Sequence, residues 1–293
     1  MPSKIILYDL VPTETKPGPS FSPFCMRARL ALSRKNVEFD TKFVTYHELR
    51  FGGWKEKLGV DLASAPIIRK PDGEFLMDST KIALWLDEAY PSEPNLFLPE
   101  ATPSSHSHSD FHATTSEEYD KAVKEYSEAV ANFDSILKSV ACPDEDLASK
   151  KGIRKRGEFW CSIFSLYAKR IVRLFDQETA EYWIDDSRLG DGTWKAIVDE
   201  LIELVQRGAE RLAQHLSSKN QEFFTSKSEP GMTDFALFGD LQLLRSVSPN
   251  LFNTCFLDLQ QGLGEWIGRM DKLFPMEDVR ERDSKEEIEV CTE

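Results

Sequence analysis

Three short stretches in the first eighty residues place chemically capable groups where backbone hydrogen-bonding groups are free. Ser22-Pro23 reads as a helix N-cap followed by proline at the first helical position. The first four N–H groups of such a helix lack internal partners and carry the positive end of its dipole, so an anion beside Ser22 is stabilised. Pro66 opens a strand directly after the small residues Ser64 and Ala65, a setting in which a cis peptide turns the backbone outward to pair with a peptide-like ligand. Asp78-Ser79 stands at a second helix start, where the carboxylate suits an ammonium and the hydroxyl a carboxylate. Together the three suit a short zwitterionic peptide that carries a thiol.

The elements that must position these groups follow from hydrophobic period. Ile5-Ile6-Leu7-Tyr8 is apolar on both alternating faces, as in a strand covered by helices on both sides. After a loop with prolines at 12, 17 and 19, Phe24, Ala28, Ala31 and Leu32 recur at helical spacing as far as Lys35, with Asn36 as the stop. Val37, Phe39, Thr41 and Phe43 alternate with polar residues and predict a second strand. A polar, irregular stretch containing Trp54 and Lys55 to Lys57 comes next. Ala65-Pro66-Ile67-Ile68 and Glu74-Phe75-Leu76-Met77 flank the turn Lys70-Pro71-Asp72-Gly73 and predict a β-hairpin. Ile82, Trp85, Leu86 and Ala89 form one helical face that ends before Pro91. The order is βαβ, irregular segment, ββα.

From residue 96 to 115 the composition turns to Pro, Ser, Thr and His, which predicts a linker. Every later periodic stretch is helical: Val123 to Val140, Phe159 to Phe175, Trp194 to Leu212, Phe235 to Leu244 and Leu263 to Phe274. The predicted fold is therefore α/β plus all-α. A thioredoxin-like domain over 1–95 is followed by a linker over 96–115, an all-helical bundle over 116–275, and an acidic tail over 276–293.

Composition narrows the function classes. The 293-residue chain has a net charge of −14, which repels phosphate backbones and disfavours nucleic acid as a partner. Five widely spaced cysteines without a C-x-x-C pair suggest neither a disulfide framework nor a zinc cluster, and fit a reducing, cytoplasmic compartment. No stretch approaches ~20 uninterrupted apolar residues, so neither export nor membrane anchoring is expected.

The strand, Ser22-Pro23-Phe24-Cys25 at a helix start, Ala65-Pro66-Ile67-Ile68, and Asp78-Ser79 at a second helix start resemble the soluble glutathione transferases. In the second half, Gly231-Met232-Thr233-Asp234-Phe235-Ala236-Leu237-Phe238-Gly239 is similar to that family's N-capping segment, in the form of its serine-type, fungal and β-etherase-related branches. Gly231 departs from the pattern, because it stands where a Ser or Thr cap is usual and leaves the capping box half-built.

The resemblance implies that Ser22 donates a hydrogen bond to the glutathione sulfur and that the Ala65 backbone, beside a cis Pro66, pairs with the cysteinyl part. It also implies that Asp78 and Ser79 hold the γ-glutamyl end. Lys55 or Lys57, of which Lys57 is taken, meets the glycyl carboxylate. It further implies a hydrophobic electrophile or aryl ether as acceptor, and a homodimer.

Other residues admit plainer readings. Ser20 competes with Ser22 as donor, but lacks the following proline. Cys25 lies three residues after Ser22, where dithiol sites carry a second cysteine, so a glutathione-dependent thiol–disulfide reductase is one alternative and a buried, inert thiol the plainer one. A non-catalytic glutathione-dependent ligand carrier is the other alternative, since the same pocket serves both. His106, His108 and His112 sit in the Ser-rich linker without fixed ligand spacing, so no metal is expected. Lys150 to Arg156 reads as a solvated helix face, and Asp234 as a structural cap.

Overall fold

A computed structural model of the chain describes residues 4–12, 22–97, 198–257 and 261–275, with isolated positions between 163 and 180. Most of the 96–115 linker, the 123–140 stripe, Ser20, the three linker histidines, the basic run and the acidic tail lie outside the described residues.

Four strands form one sheet in the order β2-β1-β3-β4, with β1 Ile5–Leu10, β2 Phe39–Val44, β3 Ile67–Arg69 and β4 Phe75–Met77. β1 and β2 run parallel with Ile5 opposite Phe39, as a helical crossover requires. β3 lies antiparallel to β1 with Ile67 opposite Tyr8, and β4 antiparallel to β3 with Met77 opposite Ile67. Every residue of β1 is buried, as its unbroken apolar run requires of a strand covered on both faces. The charged exception, Asp9, is paired with Arg29 at 2.9 Å.

α1 Pro23–Arg34 and α4 Ser79–Ala89 pack together on the sheet face to which Asp9 points. α1 ends as its sequence predicts, with Asn36 in the left-handed region at φ 49°. Just before that stop, the buried Lys35 binds Asp87 at 2.7 Å and the Tyr90 carbonyl at 3.2 Å. Asp87 in turn accepts the Leu96 N–H at 3.1 Å, so one ion pair ties both helices to the chain leaving the domain.

The opposite face differs from the expected irregular stretch. Two short helices, α2 Tyr46–Phe51 and α3 Trp54–Leu58, cover it. α2 is set by a reciprocal capping box, Thr45 Oγ1 accepting the Glu48 N–H at 3.1 Å and Glu48 Oε2 accepting the Thr45 N–H at 2.7 Å. Trp54 of α3 meets Tyr8 edge-on at 4.8 Å and Phe75 at 5.7 Å, which clamps the helix to the sheet.

The described part of the second half is helical: α5 Val198–Lys219, α6 Met232–Val247, α7 Pro249–Phe252 with a π-helical turn over Asn253–Leu257, and α8 Gln261–Leu273. α6 lies against α1 backbone to backbone, since a Cβ at Gly239 would come within 2.8 Å of the Pro23 carbonyl oxygen. Arg27 and Asp240, both largely enclosed, pair at 3.2 Å across this contact. Asp234 is fully buried and accepts four N–H donors: Phe224 at 2.8 Å, Thr225 at 2.9 Å, Gly231 at 3.1 Å and Trp266 Nε1 at 2.8 Å. It is the expected structural cap. Gly231 has a steric reason: its Cβ would lie 2.4 Å from Thr225 Cγ2 and 2.6 Å from the Leu96 carbonyl oxygen. That same carbonyl accepts the Met232 N–H at 2.6 Å, so a cap side chain is given up for a close backbone approach between the two halves.

Candidate functional site

The carboxyl end of β1, the start of β3 and the end of β4 lie side by side by register, and α1 begins beside them. Ser22 is the N-cap of α1, with φ −89° and ψ 122°, and its Oγ accepts the Cys25 N–H at 3.3 Å. It is 7% exposed, so its hydroxyl sits in a nearly closed niche rather than on open surface. The first turn of α1 contains no acidic residue, which leaves its positive end uncompensated within the helix.

The Ala65–Pro66 peptide is cis. Neither the N–H nor the C=O of Ala65 has a hydrogen-bond partner among the described residues, whereas the Pro66 carbonyl accepts the Asp78 N–H at 3.2 Å. The preceding Ser64 donates its N–H to Met77 Sδ at 3.2 Å, which fixes the strand entry. Two unpaired main-chain groups on a fixed edge are what an extended peptide needs to add itself as a further strand.

Asp78 caps α4, its Oδ1 accepting the N–H groups of Thr80 at 2.8 Å and Lys81 at 3.1 Å. Its backbone is at φ 89°, ψ 124°, a conformation that side chains other than glycine rarely adopt. Strain of this kind persists where the surrounding structure over-determines it, and it clusters at ligand sites. Asp78 is exposed while Ser79 is buried, so a charged group is presented at the rim with a hydroxyl beneath it.

Lys57 is exposed, its ammonium 4.7 Å from the centroid of Trp54 and 5.6 Å from that of Phe75. Through Trp54 and Tyr8 it connects to Ile67, the residue after Pro66. The structure thus gathers Ala65, Pro66, Asp78 and Ser79 at one edge, and holds Lys57 on the aromatic cluster of the adjoining face.

Cys25 is fully buried, and burial together with the neighbouring Asp9 carboxylate pushes its thiol well above the ordinary range. A closed, protonated thiol is neither a nucleophile nor a partner for a mixed disulfide, which counts against the reductase alternative. Two features escaped the sequence. The Asp9–Arg29 pair beneath α1 carries no local signature, and the helices over 46–58 were signalled only by Thr45-x-x-Glu48. Among the described residues, no cluster of His, Cys, Asp and Glu is arranged to hold a metal ion, and no helix is long and apolar enough to cross a membrane.

The candidate site belongs to a thioredoxin-like domain whose Ala65 main chain, beside a cis-proline, has no partner among the described residues, and this domain is set against a helical partner. Comparison with known proteins adds the family. Residues 21–89 match the family described as "Glutathione S-transferase, N-terminal domain". A glutathione S-transferase of Ceriporiopsis subvermispora, solved in complex with glutathione, superposes with a TM-score of 0.64 at 17% identity, over 95% of this chain and 100% of that one. Glutathione transferase GSTFuA3 of Phanerochaete chrysosporium gives 0.63 at 17% identity, over 97% and 100%. Residues 21–89 are thus similar to that family's amino-terminal domain, and the chain shares the fold of these two fungal proteins.

Proposed function

We propose that this chain is a serine-type glutathione transferase in which Ser22 stabilises the reactive sulfur. The observation that carries the reading is one domain holding both a cap hydroxyl at the start of α1, whose first turn has no acidic residue, and an Ala65 main chain without a partner among the described residues beside a cis-proline. When bound, glutathione supplies a thiolate that forms a sulfur–carbon bond to an electrophile as the carbon–leaving-group bond breaks, its proton having passed to solvent.

The chain's own groups supply binding and electrostatics. Ser22 Oγ takes the Cys25 N–H on a lone pair, and its own proton then serves the sulfur. Lowering a thiol by about two pH units needs ~2.7 kcal/mol of preference for the charged form. A hydrogen bond to a charged acceptor contributes ~1.5–3 kcal/mol and a partly buried helix terminus up to ~2 kcal/mol, so the two together suffice. Ala65 pairs with the cysteinyl amide through its main chain. Asp78 takes the γ-glutamyl ammonium, and Ser79 takes its carboxylate at the start of α4. Lys57, pre-oriented on Trp54, takes the glycyl carboxylate.

A hydrophobic acceptor lies against the helical half, and a homodimer in the cytoplasm completes the reading. Cys25 and Cys255 are buried and form no disulfide among the described residues, which fits a reducing compartment. The test is conjugation of glutathione to a chloronitrobenzene acceptor by wild type and Ser22→Ala. A loss of ten- to a hundredfold in kcat/KM is expected. An unchanged rate would remove the catalytic assignment and leave a ligand carrier.

A further inference from the structure

Met77 closes β4 directly before Asp78, and Ser64 directly precedes Ala65, so a contact between the two ties together the main-chain segments that frame the candidate site. Ser64 donates to Met77 Sδ twice, by its N–H at 3.2 Å and by its hydroxyl at 3.5 Å. A thioether is a weak acceptor, so two donors converge on an atom that satisfies neither well. The chain has six methionines. Among the described residues Met26, Met232 and Met270 are at most 1% exposed, whereas Met77 is only half-buried and its partner Ser64 is exposed. An oxidant arriving from solvent therefore meets the Met77 thioether ahead of those three.

Resting on the roles of Ala65 and Asp78 in the proposed function, we propose that Met77 is a modification site, oxidised to the sulfoxide by a peroxide, through which an oxidant loosens glutathione binding. A sulfur lone pair attacks one peroxide oxygen, and the sulfur–oxygen bond forms as the oxygen–oxygen bond breaks. The sulfur is oxidised by two electrons, and hydrogen peroxide is reduced to water. The product is polar where the thioether was not, and the two Ser64 donors already face the sulfur on which its oxygen forms. A nitrogen 3.2 Å from sulfur leaves no room for an oxygen between them, so accepting the Ser64 N–H requires Ser64 and Met77 to part. Ala65, which follows Ser64, pairs with the cysteinyl amide. Asp78, which follows Met77, takes the γ-glutamyl ammonium while its own N–H holds the Pro66 carbonyl at 3.2 Å. Parting Ser64 from Met77 thus alters the spacing of the two groups that seat the ligand.

The experiment treats wild type and Met77→Leu with hydrogen peroxide, removes the peroxide, and reduces oxidised thiols with dithiothreitol. Peptide mapping then reads the sulfoxide at each methionine, and calorimetry reads glutathione affinity. Met77 is expected to oxidise at least about tenfold faster than Met26, Met232 and Met270. Wild-type affinity is expected to fall about three- to tenfold, the worth of one neutral hydrogen bond, in proportion to the Met77 sulfoxide formed. Met77→Leu, whatever its starting affinity, is expected to keep it through the same treatment. Should Met77→Leu fail to fold, the proportionality in wild type over a time course decides alone. Met77 oxidised no faster than the three enclosed methionines, or an equal fall in Met77→Leu, overturns the proposal. Untreated protein that does not bind glutathione removes the proposed function and this inference with it, whereas binding that persists unchanged through complete Met77 oxidation removes this inference alone.

Discussion

Replacing Asp78 separates what its backbone costs from what its side chain gives. At φ 89°, ψ 124° a residue with a Cβ is strained by about 1–3 kcal/mol, and glycine is not. The side chain returns about 1 kcal/mol by capping Thr80 and Lys81, and glycine at an N-cap loses only a few tenths of that. Glycine also costs up to ~1 kcal/mol of unfolded-state entropy. Asp78→Gly is therefore expected to be as stable as wild type or up to ~2 kcal/mol more stable, while Asp78→Ala, which keeps the strain and loses the cap, is ~1 kcal/mol less stable. On the role proposed for Asp78 both lose a charge-assisted bond to the ligand ammonium, worth ~1.5–3 kcal/mol, so glutathione affinity is expected to fall about ten- to a hundredfold in each. Urea denaturation gives the first quantity and titration calorimetry the second. A glycine variant less stable than the alanine variant, or glutathione affinity unchanged in both, would refute the reasoning.

Further outcomes follow from three single residues. Gly231→Ala forces a methyl group onto Thr225 and the Leu96 carbonyl, so a loss of ~2 kcal/mol or more in urea denaturation is expected. In the native protein Cys25 should resist iodoacetamide at pH 8, as read by peptide mapping. Because its thiol is held above the ordinary range by burial and by Asp9, its contribution is fully present below the unfolded thiol's pKa, about 8.5, and stability falls as pH rises beyond that window. Cys25→Ala should remove that part of the alkaline slope. Lys57→Ala should weaken glutathione binding by about three- to tenfold, with a smaller dependence on salt than wild type shows, both measured by calorimetry.

Much of the amino-terminal fold was legible because each signal there is local. Ser22-Pro23 sets a helix start, Asn36 a left-handed stop, and Lys70-Pro71-Asp72-Gly73 a hairpin, and each needs only its neighbours in sequence to act. The segment over 46–58 was misread because its two helices are too short to show a hydrophobic period, and only the Thr45–Glu48 box announces the first. Gly231 looked like a defect in sequence, since its steric partners, Thr225 and Leu96, are set by tertiary contact. The same holds at the site. Ser22, Pro66 and Asp78 mark themselves by turn and cap chemistry, whereas the Asp9–Arg29 support and the strain at Asp78 appear only when strand and helix are brought together.

The central claim is that the Ser22 hydroxyl at the head of α1 stabilises a sulfur anion. Ultraviolet titration of the thiolate in the glutathione complex tests it most directly, with wild type and Ser22→Ala measured side by side. Wild type is expected to ionise the bound thiol about two units below the free value of ~8.5, and Ser22→Ala to return it upward by at least about one unit. Identical titrations in the two proteins would contradict the account.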